Sequence, residues 1–146
     1  MLKRITASDT RELRRKILRP HQRPEDIVYP NDDCTTTFHV GFFEAGCLQG
    51  VASTYEESTP KLGYTSTGKQ YRLRGMAVDK HLQGQGIGSK LIKESISLIK
   101  KENASTLWCN ARTSALGFYR KLGFETTGDE FEIEGIGPHY IMFINI

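Results

Sequence analysis

The sequence predicts a mixed α/β fold in which helices cover a central sheet. Two observations support this prediction: strand-like segments outnumber helical ones along the 146 residues, and two strand-to-helix crossings occur late in the chain. The length is close to that of a single domain, so we expect one domain over residues 1–146.

The first elements are a strand, a basic helix and a loop. Residues 2–7 have the pattern of a short strand, and residues 8–10 can cap an amphipathic helix that Pro20 ends. Three prolines and several charges predict no regular element over residues 20–33. Loops of this length are uncommon in compact domains unless they are functional, so we expect this one to rim a cleft.

The middle of the chain predicts three strands and a long helix. The strands are expected over residues 35–44, 47–55 and 70–78. Ala45 and Gly46 predict a tight hairpin turn between the first two. A helical period then continues to Lys100 with its apolar side chains on one face. These side chains are Ile87, Leu91, Ile92, Ile96 and Ile99.

The last third of the chain predicts a buried strand, a second helix and a terminal strand. Residues 106–109 are apolar enough for a buried strand, and Thr113 can cap a helix that Gly123 ends. Residues 140–144 form a continuous apolar run, which is typical of a central strand covered on both faces.

Composition excludes several classes of protein. Apolar residues make up 38% and charged residues 25% of the chain, which fits neither a membrane protein nor a disordered one. No stretch approaches the ~18 apolar residues of a spanning helix, and the basic N-terminus lacks the apolar core of an export signal. The three cysteines, Cys34, Cys47 and Cys109, are odd in number and far apart, which argues against a disulfide framework. We therefore expect a cytoplasmic protein with no membrane partner.

The charges are distributed unevenly. The net charge of +3 is too small to indicate nucleic-acid binding by itself, but residues 1–24 carry eight basic and two acidic side chains. An acidic run near the other end consists of Glu125, Asp129, Glu130, Glu132 and Glu134. The four histidines lack paired spacing with each other or with cysteine, so we expect no metal site.

A glycine-rich turn between the 70–78 strand and the long helix carries the clearest chemical signal. Gly84, Gly86 and Gly88 leave one side of the turn without Cβ atoms, so the backbone can approach a ligand closely. Unpaired N–H groups and the positive end of the helix dipole face the same space. Together they predict a site for a phosphate or pyrophosphate, and a turn that only changes direction is the alternative.

Two familiar phosphate loops do not fit this turn. A P-loop needs a lysine followed by serine or threonine, whereas here Lys90 follows Ser89. The dinucleotide fingerprint needs Gly-x-Gly-x-x-Gly near the start of a parallel fold, whereas the spacing here is one residue shorter and lies past the midpoint of the chain. Neither nucleotide hydrolysis nor hydride transfer is therefore supported.

The pattern that fits is Gln/Arg-x-x-Gly-x-Gly/Ala, filled by Gln83, Gly86 and Gly88. It resembles the acetyl-CoA pyrophosphate loop of the GNAT superfamily of N-acetyltransferases. A second block at residues 110–124, NARTSALGFYRKLGF, resembles the family's fifth strand and the helix after it. The resemblance implies a twisted mixed sheet of about six to seven strands flanked by about four helices. The first helix and the end of the chain also look like a small bacterial subgroup of the family.

The resemblance implies acetyl-CoA as co-substrate. The strand at residues 76–78 would separate from the strand at 107–109 and leave a slot for the pantetheine arm. The residues implied for binding the coenzyme are Met76, Ala77, Val78, Gln83, Gly84, Gln85, Gly86, Ile87, Gly88, Ser89, Asn110 and Tyr119.

The resemblance also implies catalytic residues. Tyr119 matches the family tyrosine that protonates the departing thiolate. Many members place a glutamate on the strand before the loop, but residues 71–76 contain no acid. Glu134 and His139, with Glu132 beside them, are expected as substitute bases because the last strand would lie across the slot from Tyr119. The acidic run could also attract a cationic amine.

The leading prediction is an acetyl-CoA-dependent N-acetyltransferase. It would act on the primary amine of a small molecule, peptide or protein by direct attack in a ternary complex. A non-catalytic acyl-CoA-binding module is the alternative that the missing glutamate suggests. No base-reading motif accompanies the basic first helix, so we expect no nucleic-acid partner. The acceptor and the oligomeric state, a homodimer included, stay open.

Overall fold

The computed structural model describes residues 1–66 and 68–146, and its strands form one mixed sheet. The strands are β1 (Leu2–Arg4), β2 (Phe38–Glu44), β3 (Cys47–Glu56), β4 (Lys69–Val78), β5 (Ala104–Arg112), β6 (Glu125–Ile133) and β7 (Gly137–Asn145). Within the described residues, the spatial order is β1-β2-β3-β4-β5-β7-β6. β4 and β5 are parallel, and the other neighbouring pairs are antiparallel.

Helices flank the sheet, which confirms the predicted fold class. They are α1 (Ala7–Leu13, continued by a π-helical turn at Arg14–Leu18), α2 (Ile87–Lys100) and α3 (Leu116–Lys121), with short 3₁₀ turns at Pro24–Asp26, Pro60–Thr65, Lys80–Leu82 and Thr113–Ala115. None of the helices in the part of the chain that the structure describes is long and apolar enough to cross a membrane.

α2 packs on the sheet through the apolar stripe that the sequence predicts. Leu91, Ile92 and Ile99 are fully buried. They share one core with Leu107 of β5 and Met142 of β7. Burying an aliphatic side chain of this size contributes about 1.5–3 kcal/mol. The stripe therefore anchors α2, and with it the glycine turn at its N-terminus, against the sheet.

The first helix begins earlier than predicted. Thr6 is its N-cap, because the Asp9 N–H donates to Thr6 Oγ1 at 3.3 Å and the Thr6 N–H donates to Asp9 Oδ2 at 3.0 Å. This reciprocal capping box satisfies two N–H groups at once, so the prediction that residues 8–10 form the cap is wrong. Thr113 likewise does not cap α3, since its hydroxyl donates to Glu130 Oε2 at 2.8 Å.

β6 is the strand that the sequence analysis missed. Its residues are mostly polar or acidic, and Gly128 has a φ of +72°. The register with β7 shifts between Thr127 and Phe131, so no regular alternation runs through the segment. β6 lies at the sheet edge, where charged side chains disfavour pairing with another chain. Its presence makes β7 an interior strand, as the apolar sequence of β7 predicts.

Candidate active site

The parallel strands β4 and β5 separate in the middle of the sheet and leave a gap. Arg72 and Trp108 are their last paired residues, although β4 continues to Val78 and β5 to Arg112. Beyond that pair, the facing strand edges do not hydrogen-bond to each other, so their backbone groups are available to a ligand. Two clefts meet at this gap, and Met76 lines both of them.

The first cleft, which we call the α2 cleft, has a volume of about 740 Å³ and lies at the N-terminus of α2. The end of β4, the glycine turn, the first turn of α2 and one side of α3 form its walls. It is lined by most of the residues implied for the coenzyme: Met76, Ala77, Val78, Gln83, Gly84, Gly86, Ile87, Gly88 and Ser89. The structure therefore brings these predicted contacts together in one place.

The glycine turn presents bare backbone to the α2 cleft. Gly84 and Gly86 have φ of +80° and +83°, and a Cβ at either position would meet no atom within 4 Å. Gly86 is the N-cap of α2, and its carbonyl accepts the Lys90 N–H at 3.1 Å. The N–H groups of the first turn have no acceptor within the helix, and the helix dipole adds positive partial charge there. This arrangement fits a phosphate group.

The two glutamines of the turn stabilise its shape. Gln83 Nε2 donates to the Val78 carbonyl at 3.0 Å, and Gln85 Nε2 donates to the His81 carbonyl at 3.1 Å. These bonds hold the turn against the end of β4. In this geometry the side chains of Gln83 and Gln85 position the backbone N–H groups that face the α2 cleft.

Three further side chains line the α2 cleft and were not found from the sequence. Lys93 of α2 and Lys121 of α3 add positive charge. Phe118 lies over Gly88, where a Cβ would stand 3.2 Å from Phe118 Cζ. Phe118 and Lys121 are three residues apart on one face of α3, and this helical spacing is the signal that could have identified them.

The second cleft, which we call the gap cleft, has a volume of about 380 Å³ and lies between the separated strands. Tyr119 of α3, His139 of β7 and Asn110 of β5 line it. Tyr29 lines it as well, which confirms that the long loop before β2 rims a cleft. The structure therefore brings the predicted proton donor and one predicted base into the same space.

Tyr119 has the environment of a proton donor. Its ring packs edge-on against Phe118 and Phe124, with centroids 5.1 and 5.4 Å away. Burial, together with the neighbouring Cys109, raises the pKa of the Tyr119 phenol well above its ordinary value. Burial also raises the pKa of the Cys109 thiol to about 12, so both groups stay protonated at neutral pH. The Tyr119 hydroxyl lies within hydrogen-bonding reach of the Cys109 thiol, and both residues line the gap cleft.

His139 has the environment of a proton acceptor. It is 3% exposed, and its Nδ1 lies 2.7 Å from the Gly137 carbonyl oxygen. A carbonyl oxygen only accepts, so the bond requires the proton on Nδ1, and in the neutral imidazole the lone pair is then on Nε2. Among the described residues, Nε2 has no hydrogen-bond partner. The neutral imidazole can therefore take a proton from a group in the gap cleft.

Glu134 does not line the gap cleft with these two residues. It is exposed and lies outside both clefts, as Glu132 does, whereas Ile133 between them lines the gap cleft. Successive side chains of a strand point to opposite faces, which explains why the acidic side chains of β6 and the apolar ones separate. The role of Glu134 as a base stays a prediction.

A buried ion pair holds the loop that rims the gap cleft. Arg14 Nη1 donates to Asp32 Oδ2 at 2.8 Å and Nη2 donates to Asp32 Oδ1 at 3.1 Å. Arg14 is fully buried and Asp32 is 4% exposed. Tyr55 donates its hydroxyl to Asp32 Oδ1, and the Tyr29 N–H donates to Asp32 Oδ2 at 2.9 Å. The pair thus connects α1, β3 and the loop, and it fixes Tyr29 at the cleft wall.

Comparisons with known proteins show which family the chain belongs to. Residues 37–142 match the family model of the acetyltransferase (GNAT) domain, and this span is most of the chain. The chain belongs to the GNAT acetyltransferase family. YitI of Bacillus subtilis, described as an uncharacterised N-acetyltransferase, is 41% identical over 142 residues, which are 97% of this chain and 93% of that protein. The family resemblance of the sequence is confirmed, and the GNAT domain is an acetyltransferase.

Solved structures share the fold of this GNAT domain. An IAA acetyltransferase from Bacillus cereus matches with a TM-score of 0.73 and 21% identity, covering 100% of this chain and 99% of that one. An aminoglycoside 6'-N-acetyltransferase in complex with coenzyme A matches with a TM-score of 0.70 and 14% identity, covering 99% of this chain and 96% of that one. At these identities the likeness establishes the fold.

Proposed function

We propose that this GNAT domain, acting as one domain over residues 1–146, transfers an acetyl group from acetyl-CoA to a primary amine that binds in the gap cleft. The observation that carries the proposal is the meeting of the two clefts at Met76, with a turn whose backbone fits a phosphate on one side and Tyr119 on the other. The aminoglycoside acetyltransferase of the same fold was solved with coenzyme A, which supports the choice of coenzyme.

The residues of the α2 cleft fit the diphosphate of the coenzyme. The N–H groups of the first turn of α2 would donate to its oxygens, and Lys93 and Lys121 would offset its charge. The unpaired edge of β4 would bond the amides of the pantetheine arm, with Asn110 across the gap. An N–H near Ala77 or Val78 would donate to the acetyl oxygen, and a donor of this kind is typically worth ~2.7–4 kcal/mol.

Two proton transfers by residues of the gap cleft complete the proposed reaction. Bound acetyl-CoA supplies a thioester whose C–S bond breaks as the C–N bond to the acceptor forms. His139 Nε2 takes the proton that the acceptor's ammonium group must lose before its nitrogen can attack. The Tyr119 hydroxyl gives its proton to the departing sulfur, the attacking nitrogen loses its second proton to water as the amide forms, and exchange with water then restores both residues.

Replacing Gly86 by alanine should weaken coenzyme binding about tenfold. A Cβ disfavours the left-handed backbone by about 1–2 kcal/mol, so the turn would shift and its N–H groups would no longer converge. Titration calorimetry with coenzyme A measures the dissociation constant. Gly46→Ala is the matched control, because Gly46 has a φ of +79°, has no neighbouring atom within 4 Å and lies in the β2–β3 hairpin. Equal dissociation constants for the two variants would contradict the proposed phosphate site.

The general base is tested by comparing His139→Gln with Glu134→Gln. We expect His139→Gln to lower kcat/KM about 100-fold at neutral pH, at the lower end of the range for general catalysts, because some acceptor also loses its proton to water. The measurement is thiol release with a broad amine panel. A larger loss in the Glu134 variant would assign the base to Glu134. Tight coenzyme binding without transfer to any amine would indicate the acyl-CoA-binding module instead.

A further inference from the structure

Four arginines line the gap cleft, where the acceptor binds in the proposed function. They are Arg19, Arg72, Arg74 and Arg112. Arg19 ends the first helical segment, Arg72 and Arg74 project from β4, and Arg112 ends β5. Among the lining residues no aspartate or glutamate balances them. The lining of the gap cleft therefore carries a net positive charge.

Only part of this charge is neutralised by nearby carboxylates. Arg72 Nη1 donates to Glu57 Oε2 at 3.1 Å. Arg74 is half-buried and makes no salt bridge within the described parts of the chain. Its guanidinium stacks on the Tyr29 ring at 4.1 Å from the centroid, and Arg14 stacks on the same ring at 4.3 Å. Both Nη atoms of Arg14 donate to Asp32, whereas Arg74 keeps its donors for another acceptor.

The surroundings of Arg74 disfavour its charge. Burial lowers the pKa of Arg74, and the neighbouring cation Arg72 lowers it further. A half-buried cation that stands beside another cation gains more from an incoming anion than an exposed one does, because less water screens the attraction. The planar guanidinium also matches the two oxygens of a carboxylate or phosphate.

The acidic residues of β6 and of the turn after it do not neutralise the positive charge of the gap cleft. Glu132 and Glu134 are exposed and lie outside the cleft, and Glu130 accepts a hydrogen bond from Thr113. The expectation that these acids attract a cationic amine into the site therefore finds no support in the geometry. The cations of the α2 cleft are a separate set, because Lys93 and Lys121 line that cleft and not the gap cleft.

We propose that the gap cleft holds an oxyanion of the acceptor on Arg74, with Arg72, Arg19 and Arg112 around it, so that the acceptor is a small amine that also carries a carboxylate or a phosphate. This inference rests on the proposed function for the amine and on the arginines for the anion. Tyr119 and His139 line the same cleft, so an acceptor that is held by its anion presents its amine to the reacting groups.

Paired acceptors test the inference directly. α-Amino acids are compared with their carboxamides, and O-phosphoethanolamine is compared with ethanolamine, with saturating acetyl-CoA. The carboxamide lowers the pKa of the α-amine, so more of the amine is unprotonated and able to attack. This difference favours the neutral acceptor, so a higher kcat/KM for the amino acid cannot come from amine reactivity. We expect kcat/KM at least tenfold higher for the anionic member of a pair, and the two pairs separate carboxylate from phosphate recognition. Equal or higher values for the neutral members would overturn the inference.

Arg74→Gln supplies the second arm. It should reduce the anionic-to-neutral ratio of kcat/KM at least fivefold, chiefly by raising KM for the anionic amine. Arg15→Gln is the matched control, because Arg15 pairs with Glu12 and lines neither the α2 cleft nor the gap cleft. A ratio unchanged by Arg74→Gln would also overturn the inference.

Binding without turnover separates the two proposals. Titration calorimetry of each amine pair in the presence of coenzyme A reports the anion preference even if no acetyl group is transferred. Anionic amines that bind but are never acetylated would contradict the proposed function and keep the oxyanion site. Acetylation that shows no preference for anionic amines, with no preference in binding, would contradict the oxyanion site and keep the proposed function.

Discussion

Tyr119→Phe is expected to lower kcat about 1,000-fold when the chemical step limits the rate. Removing a positioned general acid typically costs 10²–10⁴-fold, and the phenol of Tyr119 is the protonated hydroxyl that the structure brings to the gap cleft. The loss should fall on kcat because the hydroxyl acts on the departing thiolate and not on the bound acceptor. Pre-steady-state thiol release under saturating acetyl-CoA and amine measures it.

The substitution is conservative in packing, which keeps the outcome interpretable. The phenylalanine ring can keep the edge contacts with Phe118 and Phe124, so the melting temperature and the dissociation constant of coenzyme A should change little. Tyr64→Phe is the matched control, because Tyr64 is fully exposed and lies in the 3₁₀ turn at Pro60–Thr65. A kcat equal to that of the unmodified protein would mean that the thiolate leaves without help from Tyr119.

The fold positions both halves of the site with one irregularity. β4 and β5 pair only as far as Arg72 and Trp108, and the strand residues proposed to contact the coenzyme, Met76 to Val78 on β4 and Asn110 on β5, lie beyond that pair. Gly75 has a φ of +68° beside the register shift between β3 and β4, and a Cβ there would stand 2.9 Å from Tyr29 and 3.0 Å from Arg14. A glycine at this place lets the strand bend and lets the loop side chains pack against it.

The sequence predicts those elements whose signals are local. The apolar period of α2 and the three glycines at its N-terminus required no knowledge of the rest of the chain, and the helix begins and ends where they indicate. β6 was missed because an edge strand with a bulge buries too few side chains to leave a period. The cap of α1 was misplaced because Ser8 and Thr6 are both good N-caps, and only the pairing of Thr6 with Asp9 decides between them.

In the candidate site, too, residues with a local sequence motif could be predicted and residues brought together by the fold could not. Tyr119 and the turn glycines follow from motifs that lie on single elements. Lys93 and the arginines of the gap cleft were not predicted from the sequence, because separate helices and strands bring these residues to the clefts. A single charged residue in a sequence indicates only an exposed position. The sequence also proposed Glu134 for a position across from Tyr119, but Glu134 is exposed in the turn after β6 and does not line the gap cleft.

The buried ion pair behind the cleft wall carries the largest expected effect on stability. Breaking such a pair by removing one partner typically costs about 3–5 kcal/mol, because the other charge stays buried without compensation. Asp32 accepts from Arg14, Tyr55 and the Tyr29 backbone, so its loss leaves several donors unsatisfied. Asp32→Ala should therefore lower the free energy of unfolding by about 3–5 kcal/mol. Urea unfolding followed by circular dichroism measures it, and Asp33→Ala, at the exposed neighbour, is the matched control.

The Arg14–Asp32 pair also predicts how the free energy of unfolding depends on pH. This dependence distinguishes the loss of the ion pair from the loss of packing around Asp32. Burial alone would raise the pKa of Asp32, but the hydrogen bonds from Arg14, Tyr55 and Tyr29 outweigh it and hold the pKa below its ordinary value. A carboxyl whose pKa is lower in the folded than in the unfolded chain stabilises the folded state. The stabilisation is complete when the pH is above the unfolded pKa of about 3.9, and it is lost as the pH falls through the folded pKa. The difference in unfolding free energy between the unmodified protein and Asp32→Ala should therefore be constant near neutral pH and shrink below about pH 4. A difference that stays constant down to the acid transition would show that the loss comes from packing alone. Arg14→Met combined with Asp32→Leu, which removes both charges, should recover part of the stability that Asp32→Ala loses.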